Sequence, residues 1–231
     1  PTESEPTFGS VSLTPHLVGT FTDITRTMLL QATPAIEQLT REDLAAAVAL
    51  AIDYAGLHGD DSVDANQPDG VAATAGIGSV AGGTNGLAPA WSHIVDLETE
   101  VAVDNADIGS LSYITNAKVR GKLKKTDIGT DTGDMIWDRR SPDTPLNGYP
   151  AFVTNQVRSD LDKGTSTGVC SAIFFGNWAD LLIGLWGALD ILVDPYTHSS
   201  SGAIRVRAIA AADIGVRRAV SFAAMLDALT T

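Results

Sequence analysis

One cysteine, Cys170, stands among 231 residues, so no disulfide can form within the chain. It precedes the apolar run at residues 172–175, and a buried thiol is expected there rather than a nucleophile. Basic residues are almost missing from the first half. Residues 1–110 hold 16 Asp and Glu against Arg26 and Arg41 alone, whereas residues 111–231 hold 12 acidic and 13 basic residues. The formal net charge of −13 therefore belongs to one half. An acidic surface repels phosphate backbones and argues against sequence-specific nucleic-acid binding. Long apolar runs are missing too. The richest region, residues 173–193, is broken by Gly176, Asn177, Asp180, Gly184, Gly187 and Asp190, so no membrane span of about 20 apolar residues is expected. No signal-peptide pattern opens the chain, which makes a cytosolic origin the expectation.

Catalytic and metal-binding patterns are equally scarce. His16, His58, His93 and His198 stand alone, without the spacing of a zinc site. The glycines at 76, 78, 82 and 83 lack the lysine and the following Ser or Thr of a phosphate loop, and no Gly-x-Ser-x-Gly is present. The acidic loop Asp60, Asp61, Asp64 and Asp69 has the hard oxygen ligands that calcium takes, but not the spacing of a helix–loop–helix site; a solvated acidic loop is the plainer reading. Glu98 and Glu100 lie two apart on a helical stretch and do not face each other. Tyr54, Trp91, Trp137, Trp178 and Trp186 are too scattered for a base-stacking platform. Neither an enzyme nor a cofactor-dependent protein is expected.

The chain does hold material for a core, with 44% hydrophobic residues, enough for one large domain or two modest ones. Val11 and Leu13 fall on one face of an extended segment that needs a partner strand, and none is offered nearby. Thr40, with Asp43 three residues on, resembles a capping box, and Leu44, Val48, Ala51 and Ala55 follow on one stripe. Six alanines between 45 and 55 favour a helix of about 17 residues, about 25 Å long, ended by Gly59. Residues 59–90 read as a linking loop with the turn pairs Gly82-Gly83 and Asn85-Gly86. Pro89 can open a second helix whose face is Trp91, Ile94, Leu97 and Val101. A short strand at 112–115 leads to Asn116, which can cap a helix with Val119 and Leu123 inward. Further strands are expected at 151–157, 172–175, 181–186, 189–193, 203–209 and 214–220. The basic stretch Lys118, Arg120, Lys122, Lys124 and Lys125 reads as a solvated helix end or an intersubunit contact.

Several of these pieces, in this order, resemble the phage major capsid proteins with the HK97 fold. Val11-Ser-Leu-Thr-Pro-His-Leu17 precedes a helix ending in Asp53-Tyr-Ala-Gly-Leu-His-Gly59, and the following loop closes in Pro68-Asp69-Gly70. Tyr113-Ile-Thr-Asn116, Leu146-Asn-Gly-Tyr-Pro-Ala-Phe-Val-Thr-Asn155, Phe175-Gly-Asn-Trp-Ala-Asp180, Ile183-Gly-Leu-Trp186 and Arg217-Arg-Ala-Val-Ser-Phe-Ala223 continue the match. The resemblance implies an α+β fold with a long spine helix and with peripheral and axial domains. It places the returning strand of the extended loop at 1–14, the peripheral domain at 15–75 and 204–231, and the axial domain at 76–203. It implies a chain shortened at its N-terminus, for which proteolysis, maturation and engineering would serve equally, and which should be soluble and mostly monomeric or a small oligomer.

The function so implied is a structural subunit of an icosahedral phage head, assembled in the bacterial host cytoplasm. Pentamers and hexamers of the chain would enclose packaged DNA, with portal, scaffold or maturation protease as further partners. Some relatives crosslink lysine to asparagine with the help of a glutamate. Here Ile209-Ala-Ala-Ala-Asp213 precedes the terminal strand and has no glutamate, which argues against that reaction. Candidate intersubunit contacts are Lys122, Lys124, Lys125, Asp131, Asp134, Arg139 and Arg140, the acidic loop of one copy meeting the basic stretch of the next. Two solvated arginines are the plainer reading of Arg139 and Arg140. A non-viral nanocompartment shell of the same fold, and a hydrolase with an acidic cleft, are the rival functions.

Overall fold

Residues 16–24 alternate, so one side of the strand β1 (His16–Ile24) carries Val18 and Ile24 and the other carries Leu17 and Phe21. The computed structural model describes residues 10–31, 35–129 and 133–230. Here β1 pairs antiparallel with β8 (Ile204–Val216), His16 opposite Ala212 and Ile24 opposite Ile204. β8 also pairs antiparallel with β7 (Leu181–Asp194), which completes a three-stranded sheet in the order β1-β8-β7. The partner of β1 thus lies nearly two hundred residues away, and the strand expected at Val11 and Leu13 does not form. Residues 11–15 are not strand. They cross the end of this sheet with the side chains of Val11 and Leu13 lying over Gly215, Leu13 also over Gly184, and Thr14 donating its N–H to Asp213 at 2.6 Å.

After the short helix α1 (Arg26–Gln31), the helix α2 (Ala35–His58) runs for 24 residues, about 36 Å, across one face of that sheet. Leu44 and Val48 of the expected stripe are buried against Ile24, Val206 and Ala208, with Ile52 packed beside them, whereas Ala51 is exposed. The cap expected at Thr40 is absent. Thr40 lies inside the helix, where its hydroxyl donates to the Ile36 carbonyl at 2.8 Å; the preceding turn offers threonine the bond that a cap would have offered.

The helix ends where the chain doubles back. Gly70, Val71 and Ala72 donate their N–H groups to the carbonyls of Gly59, Gly56 and Leu57 at 3.0 Å each, so two carbonyls of the last turn are satisfied by the returning chain. A Cβ on Gly59 would collide with the Pro68 carbonyl. One on Gly70 would collide with the Ala55 carbonyl and lie 2.9 Å from the amide nitrogens of His58 and Gly59. Both glycines are therefore set by close backbone approach.

The second sheet has the order β2-β9-β6-β3-β4: β2 (Gly78–Ser79), β9 (Phe222–Leu229), β6 (Ser166–Asn177), β3 (Leu111–Thr115) and β4 (Ala151–Val153), with β5 (Leu161–Lys163) also on β6. Phe174 and Phe175 point to opposite faces. Phe175 joins Tyr113, Ile94, Leu97, Val119 and Leu123 under the helices α3 (Trp91–Val103) and α4 (Ala117–Leu123). Phe174 joins Leu57, Val71 and Phe222 on the face closed by the end of α2 and its returning loop. Asn116 caps α4, accepting from Val119 N–H at 2.9 Å.

The strand grouping differs from the division into 76–203 and 204–231. β7, inside the first range, belongs to the three-stranded sheet, and β9, inside the second, belongs to the larger one. The cause is a pair of 3-10 turns, Trp178–Asp180 and Ala219–Ser221, that carry the chain from one sheet to the other. The two apolar runs at 181–186 and 189–193 are one strand, interrupted by a register shift beside Gly187, whose φ is 82°.

Candidate functional site

The basic stretch begins on α4. Lys118 and Arg120 are exposed on it, Lys122 is half-buried near its end, and Lys124 and Lys125 are exposed just beyond. The chain then makes a narrow loop that returns to α4, with Ile128 N–H on the Asp134 carbonyl, Ile136 N–H on that of Thr126 and Trp137 N–H on that of Leu123. This return brings Asp134 to Arg140 of the same chain, Nη1 to Oδ1 3.0 Å, with the Arg140 side chain 81% and the Asp134 side chain 55% exposed. Arg140 N–H also meets Asp138 Oδ1 at 2.8 Å. That bond, with the charges of Arg140 and Arg139, holds the Asp138 carboxyl below its ordinary range. Arg139 is exposed and has no ion-pair partner among the described residues. Asp131 lies outside the described residues. The structure thus gathers Asp134, Arg139 and Arg140 at one loop, and supplies Arg140 with a carboxylate of its own copy.

A cleft of about 460 Å³ adjoins this loop, lined by Trp91, Met135, Ile136, Asp138, Arg140 and Asn147 among others. The nearest polar groups are engaged in holding the fold. Glu98 accepts from Asn147 Nδ2 and, at 2.9 Å, from the Tyr149 hydroxyl, and the Tyr113 hydroxyl donates to the Ile94 carbonyl at 2.9 Å. Burial pushes the Tyr113 hydroxyl far up; burial and then the Glu98 bond push that of Tyr149 up. Neither phenol can serve as a base at neutral pH.

The four histidines are likewise distributed. His93 Nδ1 accepts from Ala90 N–H at the start of α3, at 3.1 Å. His198 lies 3.2 Å from Asp23 and 2.8 Å from Arg205, and His16 lies 3.9 Å from Asp213. His58 Nε2 accepts from Arg158 N–H at 3.0 Å while its ring meets Phe174 edge-on at 5.3 Å. Burial, and next the Arg158 guanidinium, lower the His58 pKa to about 4. Among the described residues, Asp60, Asp61 and Asp69 are the one group of carboxylates close enough to hold a cation, their oxygens within 4.8 Å of one another. Asp69 Oδ1 there accepts from Asp61 N–H, and Asp60 from Ser62, which serves the loop turn equally well. Asp64 is outside the group and binds Asn66. No described helix is long and apolar enough to cross a membrane.

The surface that the sequence reading missed is the uncovered face of the three-stranded sheet. Leu17 is 77% exposed and Phe21 56%; Leu192 and Trp186 on β7 share the face with them. Between Leu17 and Phe21, Gly19 leaves a groove of about 260 Å³ lined also by Thr20, Arg207 and Ile209. The signal was the alternation of residues 16–24 in two apolar phases, one for α2 and one for something else.

Comparison with known proteins places these features. The model of the "Phage capsid family" matches residues 1–226. The major capsid protein of Halomonas phage phiHAP-1 is 34% identical over 220 residues, 95% of this chain; the chain spans 33% of that relative's length. The capsid of the native GTA particle superposes with a TM-score of 0.71 at 19% identity, over 94% of this chain and 74% of that one. A structure from Mycobacterium phage Ogopogo gives 0.71 at 17% identity, over 98% and 80%. The α+β architecture is that of HK97-like capsid structures.

Proposed function

The chain belongs to the phage capsid family, and from that premise we propose that it is a structural subunit of an icosahedral phage head, acting by self-association rather than catalysis. The match across residues 1–226 carries the reading. The distribution of polar groups supports it: among the described residues the four histidines lie apart, and the carboxylates that do gather, Asp60, Asp61 and Asp69, hold a loop turn. In this reading the three-stranded sheet with α2 is the peripheral part. The larger sheet with α3 and α4 is the axial part, which surrounds five-fold and six-fold positions. Pentamers and hexamers of the chain enclose packaged DNA, with portal, scaffold and maturation protease as further partners, and assembly takes place in the host cytoplasm.

The exposed cations near the α4 end fit a contact between axial parts. Arg139, Lys124 and Lys125 remain exposed while Arg140 is neutralised by Asp134. Each exposed pair across an interface contributes about 0.2–1 kcal/mol, and a ring repeats the contact at every subunit. Electron microscopy of particles produced from the full-length protein in a bacterial host is the test. Closed shells are expected; a product that stays dispersed in the presence of its scaffold and protease partners refutes the reading.

A further inference from the structure

We propose that the cleft between α2, the end of β8 and the loop returning from α2 is a docking site for a separate protein, held there by a peptide segment whose apolar residues are flanked by lysine or arginine. The assignment stands on the cleft and its charges and goes beyond the capsid reading.

The cleft has a volume of about 450 Å³. Leu50, Ala51 and Tyr54 of α2, Ile214 of β8, and Gln67 and Gln156 line it. Ile214 is buried, whereas Leu50 is 48% exposed. No charged side chain lines the cleft, so the group that fills it is apolar. The Tyr54 hydroxyl and the Gln156 carboxamide have no hydrogen-bond partner among the described residues. Both can bond the main chain of a peptide. The same two residues also line a second cleft of about 480 Å³, a polar one that holds the paired Arg158 and Asp160. The two clefts adjoin as one trough, apolar at one end and polar at the other, which suits an extended segment better than a compact molecule.

The surrounding charge decides which segment. Asp53 precedes Tyr54 on α2, and Asp60, Asp61, Asp64 and Asp69 follow on the returning loop. Asp64 accepts from the side chain of Asn66, which lies at the cleft beside Gln67, at 2.9 Å. None of these five carboxylates has an ion-pair partner among the described residues. No lysine or arginine occurs between Arg41 and Lys118. An apolar cleft in such a field attracts a basic segment and rejects an acidic one. The chain itself does not offer that segment. Its first half is acidic, and its densest basic stretch, from Lys118 to Lys125, buries its apolar residues Val119 and Leu123 under the larger sheet. The occupant that fits is therefore another protein.

The test is fluorescence anisotropy with three labelled peptides on the wild-type chain and two variants. The peptides are Lys-Lys-Leu-Phe-Leu-Lys-Lys, the same sequence with glutamate for lysine, and the same with serine for the apolar residues. Ala51→Trp fills the cleft from an exposed position, and Asp53→Lys/Asp61→Lys reverses charge at exposed positions, so both melting temperatures are expected to stay near that of the wild type. The first peptide is expected to bind about tenfold tighter than either of the others, with an affinity that falls as salt rises. Each variant is expected to weaken it about tenfold. Failure of the first peptide to bind overturns the inference, as does equal binding of the glutamate or serine peptide. Unchanged binding by Ala51→Trp overturns it because the peptide then sits elsewhere. Unchanged binding by Asp53→Lys/Asp61→Lys overturns it as well, and this variant decides alone if Ala51→Trp melts early. Self-association of the chain that Ala51→Trp abolishes gives the cleft to a second copy and also overturns it. Closed shells form or fail independently of these outcomes, so the capsid reading is judged apart.

Discussion

Lowering the pH should loosen the chain through His58 before the bulk of the carboxylates respond. The ring closes the end of α2 against the larger sheet, packed on Phe174 and Tyr54, with Nε2 accepting from Arg158 N–H. Only the neutral ring can accept that bond. A proton on Nε2 would turn it toward another donor and set a cation beside the Arg158 guanidinium, which the Asp160 carboxylate opposes. The folded-state pKa is about 4 against 6.5 in the unfolded chain. The sign follows from proton uptake: between these values the unfolded chain binds a proton that the folded chain refuses, so stability is fully present above pH 6.5 and is lost as pH falls toward 4. The difference of about 2.5 pH units corresponds to about 3 kcal/mol, an upper value because the ring retains some exposure. The assay is urea unfolding at pH 7, 6, 5 and 4 for the wild type and His58→Gln, whose amide oxygen can accept from Arg158 without titrating. The wild type should lose about 2–3 kcal/mol more than the variant across that range. Parallel losses in the two proteins would refute the reasoning.

Val48 is 4% exposed in the cluster under α2, so Val48→Asp should cost several kcal/mol through an unpaired buried charge, read as a fall in melting temperature; an unchanged melting temperature would contradict the packing. Gly70→Ala meets backbone atoms that cannot swing aside, and should cost about 3 kcal/mol or more in denaturant unfolding. Gly121→Ala, inside α4 with nothing within 4 Å of the new Cβ, should instead stabilise by about 0.5–1 kcal/mol.

Local signals were legible in the sequence and distant ones were not. The stripe Leu44–Val48, the face Ile94–Leu97–Val101 and the Asn116 cap are each decided within one or two helical turns, and all three stand in the structure. The Thr40 cap failed because a Thr-x-x-Asp pattern is equally compatible with a helix interior. The β1–β8 pairing was invisible because strand partners carry no mark of each other across so long a loop. β7 was split in two because a bulge glycine looks like a turn glycine in sequence. At the candidate contact, the charges were legible as types and positions. That Arg140 would spend its charge on Asp134 of the same copy depended on the return of the loop to α4, which rests on backbone bonds from Ile128, Ile136 and Trp137.

The way the two sheets join bears on the proposed role as a shell subunit. β6 continues into β7, and β8 into β9, through the two 3-10 turns, so two neighbouring strands of one sheet become two neighbouring strands of the other. The crossings are tied together by Asp180, which is nearly buried: its carboxylate accepts from Ser221 Oγ at 2.8 Å and Asn177 Nδ2 at 3.2 Å and faces Arg217 Nε at 3.3 Å, while its carbonyl accepts from Arg217 N–H at 2.8 Å. At the other end of the junction, His58 ties α2 to the chain before β5. The angle between the sheets is therefore fixed by hydrogen bonds at two places rather than by one flexible linker. A shell closes only if each copy holds its neighbours at a set angle, and a small error in one subunit is repeated around the particle. In the proposed role as a shell subunit, buried hydrogen-bonded joints of this kind hold the sheets while apolar side chains and cations remain outside for contact with neighbours.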